Sequence, residues 1–233
     1  MNTTRRRFLH TAGIVGASAV FAPRSWADDL TPGTYPLHLD HSRDGVLYMP
    51  KGYRAAAPMP LVVMFHGAGS SGTACQYAFP MADEFGYIIL ATDSRDERTW
   101  DIILGEYGPD VEFLQAAFQQ TLARCSVDRR RMVIAGHSDG ASYALSFGIG
   151  VGDTFGQIMA FSPGVMNPVD AKGKPRIFMS HGVSDNVMPI DDTSRTFVPR
   201  LKALGYDVTY QEYEGRHGVP ADVVRNGFAW LAT

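Results

Sequence analysis

Five consecutive residues, Gly136-His137-Ser138-Asp139-Gly140, set a serine between two glycines, each two positions away. An apolar run ends at Ala135 just before them and an alanine-containing helical stretch follows, so the serine falls at a turn from strand to helix. In such a turn the chain bends so sharply that only glycine-small neighbours let the backbone pass, and the hydroxyl is thrust out beyond the carboxyl end of the strand. The following helix aims its positive end at negative charge that forms there. The chemistry that suits this arrangement is attack by Ser138 on an acyl carbonyl.

A serine hydroxyl is a weak nucleophile until a base takes its proton, and an imidazole acting as base needs a carboxylate to fix its tautomer and stabilise its cation. Downstream, His217 lies in Tyr213-Glu214-Gly215-Arg216-His217-Gly218 and Asp185 in His181-Gly182-Val183-Ser184-Asp185-Asn186, each just past an apolar β-run. The chain order Ser138, Asp185, His217 is that of an open α/β sheet bearing such a triad. His181 competes as base but closes a strand upstream of Asp185, and reads as structural. Asp191 and Asp192 precede a helix and read as capping residues, while Asp153, Asp170 and Asp207 fall in turns.

Stabilising the oxyanion needs two N–H donors. His66-Gly67-Ala68-Gly69 ends another apolar run, which makes the N–H of Ala68 one candidate and the N–H of Asp139 the other. His66 reads as a brace for this loop, and the Asp139 carboxylate as a complement to the helix dipole. On the substrate side stand Gly67 and Trp100. The segment Arg98-Thr99-Trp100-Asp101 has two readings of equal weight: a pocket wall, or a surface loop with one packed tryptophan.

Positioning these groups requires strands that end on one side. Short β-branched runs at 61–65, 87–91, 131–135, 157–161, 176–180 and 208–212 alternate with helical patterns at 74–85, 110–123, 140–147, 194–204 and 221–231, and runs at 36–40 and 46–49 suit an opening hairpin. This predicts an α/β fold with a mostly parallel, twisted sheet of about eight strands and helices on both faces. The Pro/Gly-rich stretch at 163–175 is short enough to be a loop and leaves no room for a large lid domain.

With 233 residues and 45% hydrophobic content, the chain has enough apolar material for one domain, expected over 28–233. The first 27 residues hold four arginines and no acid, so the remainder carries 17 basic and 24 acidic groups, a net −7. That balance argues against binding nucleic acid or an anionic membrane by bulk charge. Arg5-Arg6-Arg7-Phe8-Leu9, a short apolar run to Ala22 and Ser25-Trp26-Ala27 are similar to a twin-arginine signal peptide, with cleavage expected after Ala27. The twin-arginine export machinery is then the partner during translocation, and a periplasmic or secreted location, off the membrane after cleavage, is the expected destination. Cys75 and Cys125, the two cysteines, fall on opposite faces of the expected sheet and should stay unpaired. No spacing suggests a zinc or haem site, and no metal or cofactor is expected.

Four segments, HGAGSSG at 66–72, GHSDGAS at 136–142, HGVSDNVMPI at 181–190 and YEGRHGVP at 213–220, resemble those of the α/β-hydrolase superfamily in order and spacing, and within it the small bacterial carboxylesterase/phospholipase and polyhydroxybutyrate-depolymerase-like esterases. The resemblance spans nearly all of the expected mature chain. It implies a cofactor-free serine esterase acting on a small-molecule ester through an acyl-enzyme, with Ser138, Asp185 and His217 as triad. Arg216 departs from the small residue common before the histidine, and Asp139 adds a charge after the nucleophile. Peptidase and thioesterase activity remain open on the same triad. A non-catalytic binding protein on the same scaffold would be expected to lack a triad member. The lack of a long insertion after Phe161 weighs against a long-chain lipase.

Overall fold

The computed structural model describes residues 30–104 and 107–233. The leader expected at 1–27 lies outside the described residues. Eight strands form one sheet: β1 Gly33–Pro36, β2 Gly45–Met49, β3 Met59–Phe65, β4 Ile88–Thr92, β5 Val127–His137, β6 Gln157–Phe161, β7 Arg176–Gly182 and β8 Val208–Tyr213. Their spatial order is β1-β2-β4-β3-β5-β6-β7-β8. β2 pairs antiparallel with β1 and β4, and every other pairing is parallel. The expected mostly parallel sheet is therefore present. The chain steps from β3 to β4 on one side and then to β5 on the other, which leaves a crevice at the carboxyl ends of β3 and β5, where open α/β sheets place their sites.

Helices cover both faces because successive strand residues point to opposite sides. Leu61, Val63 and Phe65 of β3 join a core with Val111, Leu114 and Phe118 of α3 (Pro109–Arg124), Tyr143 and Phe147 of α4 (Asp139–Gly150), and Val198 and Leu201 of α5 (Ser194–Ala203). Val62 and Met64 join a second core with Ala82 of α1 (Phe79–Phe85) and Val223, Val224 and Phe228 of α6 (Ala221–Leu231). α2 is the short turn Asp101–Leu104. Cys75 and Cys125 belong to different cores and are both free, as expected. Burial pushes each thiol up to about 12, far from reactive thiolate.

Two local expectations change. The first strand ends at Pro36 instead of beginning there, because the Asp44 carboxylate accepts the N–H groups of His38 and Leu39 at 2.8 and 2.9 Å and turns the chain, with His38 at φ 58°. The helix expected at 74–85 is a 3-10 segment, Gly72–Ala78, followed by α1, since Pro80 lacks an N–H and sits in the first turn of a new helix. Residues 162–175 contain no helix or strand, and among the described residues no helix is long and apolar enough to cross a membrane.

Candidate active site

Ser138 stands between β5 and α4 at φ 58°, ψ −124°, a conformation that a serine adopts only under strain from its surroundings. The flanking glycines make the turn possible. A Cβ on Gly136 would lie 2.2 Å from the Gly140 carbonyl oxygen, and one on Gly140 would lie 2.1 Å from that of Phe65. Backbone oxygens of a packed helix or strand have no room to retreat, so both positions exclude any side chain.

His217 and Asp185 arrive from separate loops. Nε2 of His217 is 2.8 Å from Ser138 Oγ, and its Nδ1 is 2.6 Å from Oδ2 of Asp185. The other oxygen of Asp185 accepts the N–H groups of Val187 and Met188 at 2.9 and 2.8 Å. Burial pushes this carboxyl up, but the hydrogen bonds from His217, Met188 and Val187 outweigh it and hold the group below the usual carboxylate range. An ionised Asp185 fixes the proton on Nδ1 of His217, which leaves Nε2 free to accept from the serine. Gly182 admits this loop closely, since a Cβ there would lie 2.6 Å from the carbonyl oxygens of Gly215 and Arg216.

The loop after β3 faces the serine from the opposite side. Ala68 lines the cavity in front of Ser138, and the N–H of Asp139 is a first-turn donor of α4; neither N–H finds an acceptor among the described residues. A Cβ on Gly67 would touch Ser138 Cβ at 3.4 Å, so glycine keeps the wall open there. The bracing expected of His66 is seen. Ser94 N–H donates to its Nε2 at 3.0 Å, which places the ring proton on Nδ1, 2.7 Å from the Gly67 carbonyl.

Of the two readings of Trp100, the pocket wall is corrected. The side chain is 1% exposed, packs edge-on against Phe65, and donates its indole N–H to the His66 carbonyl at 2.9 Å. It supports the loop from beneath because that carbonyl would otherwise be a buried acceptor without a partner. Its neighbour Thr99 donates to the Asp139 carboxylate at 2.5 Å, tying the loop after β4 to the serine turn. The Asp139 side chain thus has a tethering partner that sequence position alone did not disclose.

Two carboxylates, Asp110 buried and Asp101 half-buried, hold that loop. Asp110 accepts the N–H groups of Arg95 and Asp101 at 2.5 and 2.6 Å, while Asp101 accepts those of Gly108 and Asp110 at 2.7 and 3.1 Å. Burial, and then the nearby Asp110 charge, push Asp101 up to about 6. The folded chain therefore binds this proton more readily than the unfolded chain, so the stabilisation is full below the ordinary carboxyl range and is lost as pH rises through about 6. Asp101→Asn should gain on wild type by on the order of 1–3 kcal/mol between about pH 4.5 and about pH 8. Urea unfolding at the two pH values measures this difference.

A cavity of about 410 Å³ opens at the serine. Its walls include Gly67, Ala68, Tyr77, His137, Val187 and His217. Tyr77 lies outside every motif quoted above and Val187 lies inside the segment 181–190 with no role assigned, since they reach the cavity only through the 3-10 turn and the bend after Asp185. His137 lay within the serine motif. Its ring centroid is 5.0 Å from that of His217, and burial, followed by repulsion from His217, presses it down to about 4, so it stays neutral.

No protein-family model matches the chain. Acyl-protein thioesterase 1 of Gibberella zeae is 29% identical over 94 residues, a match to 36% of this chain and 40% of that protein's length. Among solved structures, esterase PE8 superposes with a TM-score of 0.65 at 21% identity, covering 82% of this chain and 99% of that one. The fluorophosphonate-binding serine hydrolase F of Staphylococcus aureus gives 0.68 at 12%, covering 88% and 100%. The S-formylglutathione hydrolase of Agrobacterium tumefaciens gives 0.65 at 16%, covering 86% and 94%. With the strand order above, these likenesses establish the α/β-hydrolase fold.

Proposed function

We propose that this chain, an α/β-hydrolase by fold, is a serine hydrolase that cleaves carboxylic esters through an acyl-enzyme. The observation that carries this reading is the unbroken hydrogen-bond chain from Asp185 through His217 to Ser138, opening into a cavity with two unengaged N–H groups at its edge. Ser138 Oγ bonds to the ester carbonyl carbon as His217 Nε2 takes its proton, and the N–H groups of Ala68 and Asp139 receive the oxyanion. Collapse of the tetrahedral intermediate breaks the bond to the alkoxy oxygen, which leaves as alcohol with the proton from His217. Water then repeats the sequence on the acyl-serine and releases the acid.

Among the described residues the cavity walls include no Asp, Glu, Lys or Arg, which favours an uncharged, apolar substrate portion. The partial likeness to a thioesterase supports a second reading, in which an acyl-thioester is preferred. A panel of p-nitrophenyl esters of increasing acyl length, run beside matching thioesters, separates the two. Higher kcat/KM on the oxygen esters supports the first reading, and the reverse supports the second. Absence of both turnover and fluorophosphonate labelling at Ser138 would sink the hydrolase reading. Export by the twin-arginine machinery belongs to the same proposal, supported by Arg5-Arg6-Arg7 and the apolar run that follows. Retention of an Arg5→Lys/Arg6→Lys/Arg7→Lys variant in the cytoplasm, with wild type exported, is the expected outcome.

A further inference from the structure

Beside the triad lies a second histidine that the mechanism above does not use. His181, at the end of β7, is wholly buried, with Nε2 2.8 Å from the Met188 carbonyl and 3.1 Å from Asp185 Oδ2, the oxygen that also receives His217. Its Nδ1 is 2.7 Å from Ser194 Oγ at the start of α5. Both neighbours of Nε2 are acceptors only, so Nε2 carries the proton. Burial holds the imidazole below the ordinary histidine range, hence neutral, and its bare Nδ1 must accept from the Ser194 hydroxyl. Ser194 thereby selects the tautomer.

We infer that His181, with its tautomer set by Ser194, is a positioning residue that fixes the orientation and tempers the basicity of Asp185. Its N–H acts on both carboxylate oxygens. It faces Oδ2 directly, and it holds the Met188 carbonyl in the same short turn whose Val187 and Met188 N–H groups bind Oδ1. A carboxylate free to swing about its Cβ–Cγ bond would misdirect His217, and displacements of this size cost about 100-fold in rate. A residue that only filled space would need neither the hydroxyl at 194 nor a donor at this position.

The titratable groups around His181 and Asp185 are His217 and Tyr213 beyond and at the end of β8, Glu212 on β8, and His137 at the end of β5. Loss of the second donor makes Oδ2 a stronger acceptor for His217, so the acid limb of kcat/KM should move up by about half a pH unit in His181→Leu. With it, kcat should fall about 10- to 100-fold while KM changes little. His181→Gln, which returns an N–H to this place, should recover most of the loss. Ser194→Ala, a smaller change in the same buried site, should move the same quantities less far and keeps the test open should His181→Leu fold poorly.

The rate measurements rest on the hydrolase reading, whereas a proton NMR readout does not. The most downfield imidazole N–H, from the 2.6 Å bond between His217 and Asp185, should shift further downfield in His181→Leu and Ser194→Ala. Acid limb and resonance both unmoved in the folded variants, with activity lost only in proportion to folded protein, would overturn the inference. A wild type that shows no turnover overturns the hydrolase reading instead, and the resonance still decides the role of His181.

Discussion

Ser138→Ala is expected to lower kcat on a short-chain p-nitrophenyl ester by about 10⁶, leaving only the slow turnover that binding and oxyanion donors sustain. In the proposed mechanism the hydroxyl oxygen forms the acyl bond, and the other serine of the cavity wall, Ser70, has no imidazole partner among the described residues. Alanine keeps the Cβ and the strained backbone, so the thermal midpoint should stay within a few degrees of wild type. Single-turnover kinetics and a fluorophosphonate label followed by peptide mapping measure both halves of the expectation. Retention of wild-type turnover would dismiss Ser138 as nucleophile.

Asp185→Asn should lower kcat by about 10⁴, chiefly through a change of tautomer. The carbonyl oxygen of the new amide is drawn to the N–H groups of Val187 and Met188, which places its NH₂ where Oδ2 stood. There it meets Nδ1 of His217 and the N–H of His181, a second donor that thereby loses its carboxylate partner. An N–H facing His217 obliges that ring to expose a bare Nδ1 and to carry its proton on Nε2, the atom that must accept from Ser138. The opposite amide rotamer sets donors against the two backbone N–H groups and is worse. Steady-state kinetics beside a thermal melt separates this from unfolding, and a loss of less than about tenfold would contradict the role assigned to Asp185.

Much of this architecture is legible in the sequence, for physical reasons that differ by element. β3 reads plainly as a strand because its residues are apolar on both faces, and only a sheet covered on both sides has a use for that pattern. Gly136 and Gly140 announce the serine turn because no other residue fits against the carbonyls of Gly140 and Phe65. The first strand was misplaced since its end is decided by the Asp44 side chain, several residues downstream. Trp100 is ambiguous in the sequence because an indole suits a pocket wall and a packed loop residue equally, and only its 1% exposure and its bond to the His66 carbonyl separate them. The contact of His181 with Ser194 is not legible in the sequence because it spans 13 positions and follows no helical or strand period.

Among the described residues the sheet ends at β8, which pairs with β7 alone, and His217 hangs just beyond that outer strand. Ser138, by contrast, rises from β5, which is flanked by β3 and β6. Hydrogen-bonded margins fray more readily than interiors. Mild warming or dilute urea is therefore expected to uncouple the imidazole first, while the hydroxyl keeps its place and the bulk of the molecule stays folded.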